Sequence, residues 1–240
     1  MTSKLLCSIV IISAPVMVVI EGRASAQTTP GSVSGHIYGP DGKALAGTTV
    51  WANIVSPMAR PIDRSLATPG LNTVSASDGS FTLSGVPAGD YVICARKAGV
   101  AALNPCAWGS APLVKVTAGL QATGQTVRMA AAATLQVHFD DPGGLLAANA
   151  SKPGANLIVG VATQRGFMPL RLTGSTASGR DHAMLVPFNT SLSVLVSTQY
   201  FKLTDATGAA INAASYRVPV TIPTNGAAPV INLRVVGAGN

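Results

Sequence analysis

Residues 78–95, DGSFTLSGVPAGDYVICA, hold two short alternating runs separated by a Val-Pro-Ala-Gly turn. Strand side chains alternate between faces, so Phe81 and Leu83 point one way while Thr82 and Ser84 point the other. The second run separates Tyr91, Ile93 and Ala95 from Val92, Cys94 and Arg96. With Tyr91 and Ile93 facing a core, Cys94 faces outward and can tie the following loop against the sheet, with Trp108 as cover. Asp78-Gly79 at the start is a turn dipeptide: glycine takes positive φ, and the aspartate bonds the backbone locally.

The same grammar extends in both directions. Short runs rich in Val, Ile, Leu and Thr alternate with Gly, Pro, Ser, Thr and Asn, which reads as strands and turns. Runs at 32–39, 48–55, 71–77, 80–86, 90–97, 112–118 and 124–131 predict seven strands in roughly 100 residues, the size of a Greek-key sandwich. After Met129 the pattern restarts. Leu135, Val137 and Phe139 alternate into an Asp-Pro-Gly-Gly turn, and runs at 156–163, 167–174, 180–187, 191–198, 215–223 and 229–236 follow. Helical periodicity is missing, and residues 145–156 have material for one helical turn at most. The expected fold is therefore all-β: two Greek-key β-sandwich domains (immunoglobulin-like or prealbumin-like), spanning 27–131 and 132–240. The halves share this architecture without a residue-level repeat.

Residues 31–129 resemble the carboxypeptidase regulatory-like domain, a transthyretin-like β-sandwich related to the Cna-B modules of surface proteins and grouped with starch-binding-like folds. The matching features are Gly35 in the first strand, the Asp41-Gly42 turn, and Ala46-Gly47 before Val50. Asp78-Gly79-Ser80-Phe81, Val86-Pro87-Ala88-Gly89 and Tyr91 complete the set. All are turn or core positions, so the resemblance implies a fold and an exported setting and carries no catalytic residue. Residues 132–240 are a second β-sandwich of unknown family.

The N-terminus agrees with export. Lys4 precedes an uncharged apolar run that contains Pro15 and ends at Glu21, and Ala24-Ser25-Ala26 is the small-x-small pattern of signal-peptide cleavage before Gln27. The run is short for a spanning helix, so no membrane span is expected after cleavage. Removal of residues 1–26 leaves two of the three cysteines, Cys94 and Cys106. An even pair in an exported chain favours a disulfide, and a loop this short is worth roughly 3 kcal/mol by chain entropy. The expected location is the periplasm or the extracellular space.

Composition narrows the chemistry. The formal net charge is +7, but the basic residues are scattered and only Arg96-Lys97 is an adjacent pair. Nucleic-acid binding needs a clustered basic face, so no nucleic-acid partner is expected. Glutamate is absent after Glu21. His36, His138 and His182 stand singly on predicted strands without metal-ligand spacing. Asp140 and Asp141 offer hard oxygens, yet calcium takes six to eight of them, and Asp-Asp-Pro-Gly reads first as a turn. No metal and no cofactor is expected. Neither paired carboxylates nor an activated nucleophile emerges, and a hydroxyisourate hydrolase or an isopeptide-forming module lacks its signature residues here. Trp51, Trp108, Tyr200 and Phe201 are the aromatics outside clear core positions, and Trp51 and Trp108 are the candidate ligand contacts. The expected function is a non-catalytic structural or binding module of the cell envelope, with an envelope protein or polysaccharide as partner. A carbohydrate-binding accessory protein is the first alternative, and an enzyme with a site at the domain junction is the second.

Overall fold

The structure, a computed structural model, describes residues 29–55, 71–163, 166–211 and 216–239. The signal-peptide segment 1–26 and its cleavage site lie outside the described residues. In chain order the first half forms β1 (Gly31–Tyr38), β2 (Thr49–Ile54), β3 (Asn72–Val74), β4 (Ser80–Val86) and β5 (Gly89–Arg96). A one-turn helix α1 (Pro105–Trp108), β6 (Leu113–Val116) and β7 (Gln121–Arg128) complete it. Two sheets result, ordered β4-β1-β7 and β3-β2-β5-β6. The Val-Pro-Ala-Gly turn carries the chain from β4 in one sheet to β5 in the other. Phe81 and Leu83 from one strand and Tyr91, Ile93 and Ala95 from the next therefore meet in a single core.

The second half comprises β8 (Ala132–Asp140), the one-turn helix α2 (Leu145–Ala148), β9 (Ile158–Thr163), β10 (Gly166–Pro169), β11 (Arg171–Thr176) and β12 (Gly179–Pro187). It ends with β13 (Thr190–Ser197), β14 (Phe201–Asp205), β15 (Tyr216–Ile222) and β16 (Val230–Ala238). Its sheets run β11-β12-β8-β16-β14 and β10-β9-β13-β15. Leu135, Val137 and Phe139, all at 0% exposure, anchor a second core between them. The fold is thus all-β with two sandwiches.

Pairing shows a likeness between the halves that the residues alone do not. β1 lies between antiparallel β4 and parallel β7, and β8 lies between antiparallel β12 and parallel β16. The facing sheets also correspond: β3-β2-β5-β6 matches β10-β9-β13-β15 strand for strand. The second sandwich repeats the first with two additions, β11 on the outside of β12 and β14 on the outside of β16. Both added strands run antiparallel to the strand they cover.

Those additions account for the departures from expectation. The run 167–174 is two strands in different sheets, β10 and β11. Pro169 has no N–H to continue a ladder, and the switch is made at Leu170, whose N–H donates to the Val159 carbonyl at 2.8 Å. β14 is a further strand, in which buried Phe201 and Leu203 alternate with Lys202 and Thr204; with five residues running straight into an aspartate turn, it is too short to stand out in the sequence. The turn itself has a clear cause: the Asp205 carboxylate accepts from the backbone N–H of Thr207 at 2.8 Å and of Ala209 at 3.1 Å.

Candidate functional site

The cysteine pair forms a disulfide, Cys94–Cys106. Val50 and Ala52 of β2 face the first core with Ile93 and Ala95 of β5, so Trp51 and Cys94 occupy the opposite face, where they are cross-strand neighbours. Asn53 donates its side-chain N–H to Cys94 Sγ at 3.3 Å. The loop that Cys106 anchors is built from Asn104, whose side chain accepts from Cys106 N–H at 3.0 Å. Pro105 follows at the first helical position and Gly109 at the left-handed cap, φ 83. The helix ends themselves are thereby satisfied.

The same loop reaches the junction between the sandwiches. Ala102 forms a bridge with Ala131; Leu103 N–H donates to Ala130 O at 2.8 Å, and Ala132 N–H to Ala101 O at 3.0 Å. The short connection between Arg128 and Ala132 is therefore paired along its length. Trp108 is half-buried and packs against the second core, so it spans from the disulfide loop to the neighbouring sandwich. Trp51, opposite Cys94 in the register, is only 5% exposed, and its buried indole Nε1 has no hydrogen-bond partner among the described residues. Phe201 is 4% exposed within the second core. Tyr200 packs beside it, its hydroxyl donating to Asn149 Oδ1 at 3.0 Å.

Ionisable groups lie elsewhere. His138 of β8 and Asp181 of β12 are register partners on the outer face of the five-stranded sheet. Nδ1 sits 2.7 Å from Asp181 Oδ1, and the side chains are 39% and 44% exposed. One row along, Arg234 Nε lies 3.4 Å from Asp140 Oδ2, with both side chains more than half exposed, a geometry worth at most about 1 kcal/mol. A carboxylate that fixes an imidazole tautomer is half of an acid–base device. Such a device needs a nucleophile or a substrate site within hydrogen-bond reach of the free nitrogen. Among the described residues, the hydrogen bonds of His138 end at Asp181.

The other two histidines are remote in chemistry. His182 is one residue from Asp181 but faces inward; it is 9% exposed and packs edge-on against Phe139 at 5.6 Å. Its pKa is lowered by burial first and by the Arg180 charge second, against the pull of Asp181, and its Nδ1 has no partner among the described residues. His36 is exposed on the outer face of β1, 6.3 Å from the Tyr38 ring, over which the Arg128 guanidinium lies at 5.1 Å. Sequence reading passed over this Tyr38–Arg128 pair. The signal was present in the alternation of β1, which puts Tyr38 outward with Ser32, Ser34 and His36.

Asp141 is 1% exposed, and both of its carboxylate oxygens accept backbone N–H groups, from Leu145 at 2.9 Å and Leu146 at 2.7 Å. It therefore caps α2 rather than offering free oxygens. No group of three or more His, Cys, Asp or Glu side chains placed to hold a metal ion occurs among the described residues. No described helix is long and apolar enough to cross a membrane.

No family model matches the chain, and no curated protein matches it either. Solved structures do align at low identity. The TIE protein of Bacillus anthracis is 11% identical over 87% of this chain and 34% of its own, with a TM-score of 0.31. A streptococcal ancillary pilin is 14% identical over 88% of this chain and 63% of its own, TM-score 0.36. The minor pilin GBS52 of Streptococcus agalactiae is 14% identical over 88% and 98%, TM-score 0.34. The chain thus spans less than two thirds of the length of the first two. Likeness at this level assigns no function.

Proposed function

We propose that this chain is an exported, non-catalytic structural or binding module of the cell envelope, in the periplasm or outside the cell. In this reading residues 1–26 are a signal peptide. Residues 27–131 are a carboxypeptidase regulatory-like sandwich, and residues 132–240 are a second sandwich of the same topology. The observation that carries the proposal is the junction. The Cys94–Cys106 loop, the Ala102–Ala131 bridge and Trp108 join the two sandwiches, and residues 98–112 contain no charged side chain. A junction without charged side chains fixes geometry and offers proton transfer no groups to work with.

Polysaccharide binding is the second reading. What favours it is the outer face of β1, β4 and β7, where Ser32, Ser34, Thr82, Gln121 and Thr126 surround His36 and Tyr38. That face, rather than the enclosed Trp51, would present hydroxyl and amide partners to sugar hydroxyls. The test is to screen the purified protein against insoluble and soluble polysaccharides and against ester, peptide and glycoside substrates. No turnover is expected. Turnover abolished by His138→Ala or Asp181→Asn would overturn the non-catalytic reading, while glycan retention lost in Tyr38→Ala would put the second reading first.

A further inference from the structure

The connection from β15 to β16, residues 223–229, carries the sole Asn-Gly dipeptide of the sequence, Asn225-Gly226. It links a strand of the four-stranded sheet to one of the five-stranded sheet. Both of its ends are pinned. Pro223 O accepts the Asn189 N–H at 3.0 Å, and Ala228, 6% exposed, belongs to the second core. Between these anchors residues 224–227 are exposed.

An asparagine can close on its own backbone when the nitrogen of the next residue reaches its Cγ. The attack needs a nitrogen that no hydrogen bond holds, an amide side chain free to turn, and no Cβ crowding the approach. Gly226 meets the last condition by having no side chain, and its φ is 81. A Cβ built on it would meet nothing within 4 Å, so the loop tip stands open to water. Among the described residues, neither the Gly226 N–H nor the Asn225 side chain has a hydrogen-bond partner.

The other described asparagines each fail a condition. Asn104 precedes Pro105, which has no N–H to give up, and its side chain caps Cys106. Asn149 is held at both ends of its amide: Nδ2 donates to Leu145 O at 2.9 Å, and Oδ1 accepts from the Tyr200 hydroxyl at 3.0 Å. Asn53, Asn72 and Asn232 lie in strands, where ladder pairing keeps the backbone extended. Asn156 and Asn189 precede Leu157 and Thr190, whose Cβ atoms crowd the backbone nitrogen.

We propose that Asn225-Gly226 is a site of spontaneous covalent modification in the folded protein, by way of a succinimide. The Gly226 nitrogen loses its proton to hydroxide and bonds to Asn225 Cγ. The Cγ–Nδ2 bond breaks, and the amide nitrogen takes up a proton from water and leaves as ammonia. A water molecule then opens the ring. Attack at the side-chain carbonyl leaves aspartate, and attack at the backbone carbonyl leaves isoaspartate. Either product places a carboxylate between Arg217 and Arg234, a stretch without a charged side chain, and lowers the formal net charge of +7 by one. Isoaspartate also lengthens the main chain between the Pro223 and Ala228 anchors. The site stands whether the chain is structural or binds polysaccharide.

Incubation of the purified protein at neutral and mildly alkaline pH, then trypsin digestion and tandem mass spectrometry against an unincubated sample, tests it. Cleavage after Arg217 and Arg234 yields one peptide carrying both Asn225 and Asn232, so Asn232 is an internal control. The free peptide Pro-Thr-Asn-Gly-Ala-Ala supplies the reference rate. Opening a loop tip without hydrogen bonds costs little, so Asn225 should convert within about tenfold of that peptide. Conversion should quicken with rising pH and leave Asn232 intact. Gly226→Ala should slow it by about tenfold or more, because a Cβ then crowds the attacking nitrogen. Slower conversion of Asn225 than that, an Asn232 that reacts as fast, or a Gly226→Ala chain that reacts at the parent rate overturns the inference.

Discussion

His182 is the residue whose chemistry most depends on its neighbours. Burial against Phe139 lowers its pKa below the ordinary histidine value near 6.5. The unfolded chain therefore binds a proton first as pH falls. Stability is full above about pH 6.5 and declines below it, toward the folded-state pKa, with a slope of up to about 1.4 kcal/mol per pH unit. His182→Leu should remove that acid-side slope and leave stability near pH 7.5 unchanged or higher, because the unpartnered Nδ1 goes with it. Urea unfolding at a series of pH values measures both. An unchanged slope in the variant would place the acid sensitivity elsewhere. Asp78 and Asp205 differ in kind: hydrogen bonds from Ser80 and from Thr207 lower their pKa values, and both are turn residues in open solvent.

At the scale of the element, the parallel pairing of first and last strands decides how closely the chain packs. Gly35 sits opposite Gln125 at the register shift between β1 and β7, and a Cβ added there would overlap the Gln125 carbonyl. The neighbour is backbone, so the clash cannot be relieved by a rotamer. Gly35→Ala should destabilise by about 1–3 kcal/mol and raise amide exchange along β7 before β4. Equal loss of protection in β4 and β7 would mean that β1 fails as a whole. Glycine in the first strand was legible as a matched position in the sequence pattern. Its reason, the parallel partner β7 from about 90 residues away, was not.

The whole molecule is governed by its junction. Removing the bridge with Cys94→Ser and Cys106→Ser should cost about 3 kcal/mol by loop entropy. It should also free the 101–103 segment from its pairing with 130–132, exposing the Leu103 and Ala132 amides to exchange. Trp108→Ala should leave the disulfide in place and separate the unfolding of the two sandwiches, because it withdraws the packing against the second core. Hydrogen exchange and calorimetry read the two variants. Retained protection at Leu103 and Ala132 in the serine variant would show that the Ala102–Ala131 bridge holds without the disulfide.

Alternation and turn dipeptides carried most of the local structure, since a strand with one buried face must repeat every two residues. Phe81, Leu83, Tyr91 and Ile93 lie in the core as their spacing requires, and outward Cys94 meets Cys106. That information is local, and the sequence by itself determined the all-β class, the paired cysteines and the restart after Met129. Tertiary structure alone decided what depends on distant strands. It enclosed Trp51 opposite Cys94, turned Trp108 toward the second core, split 167–174 between two sheets and added β14 to an edge. It also set His138 beside Asp181 while facing His182 inward. Strand order and register are set by which apolar faces can be buried together, and no spacing along one strand records its neighbour.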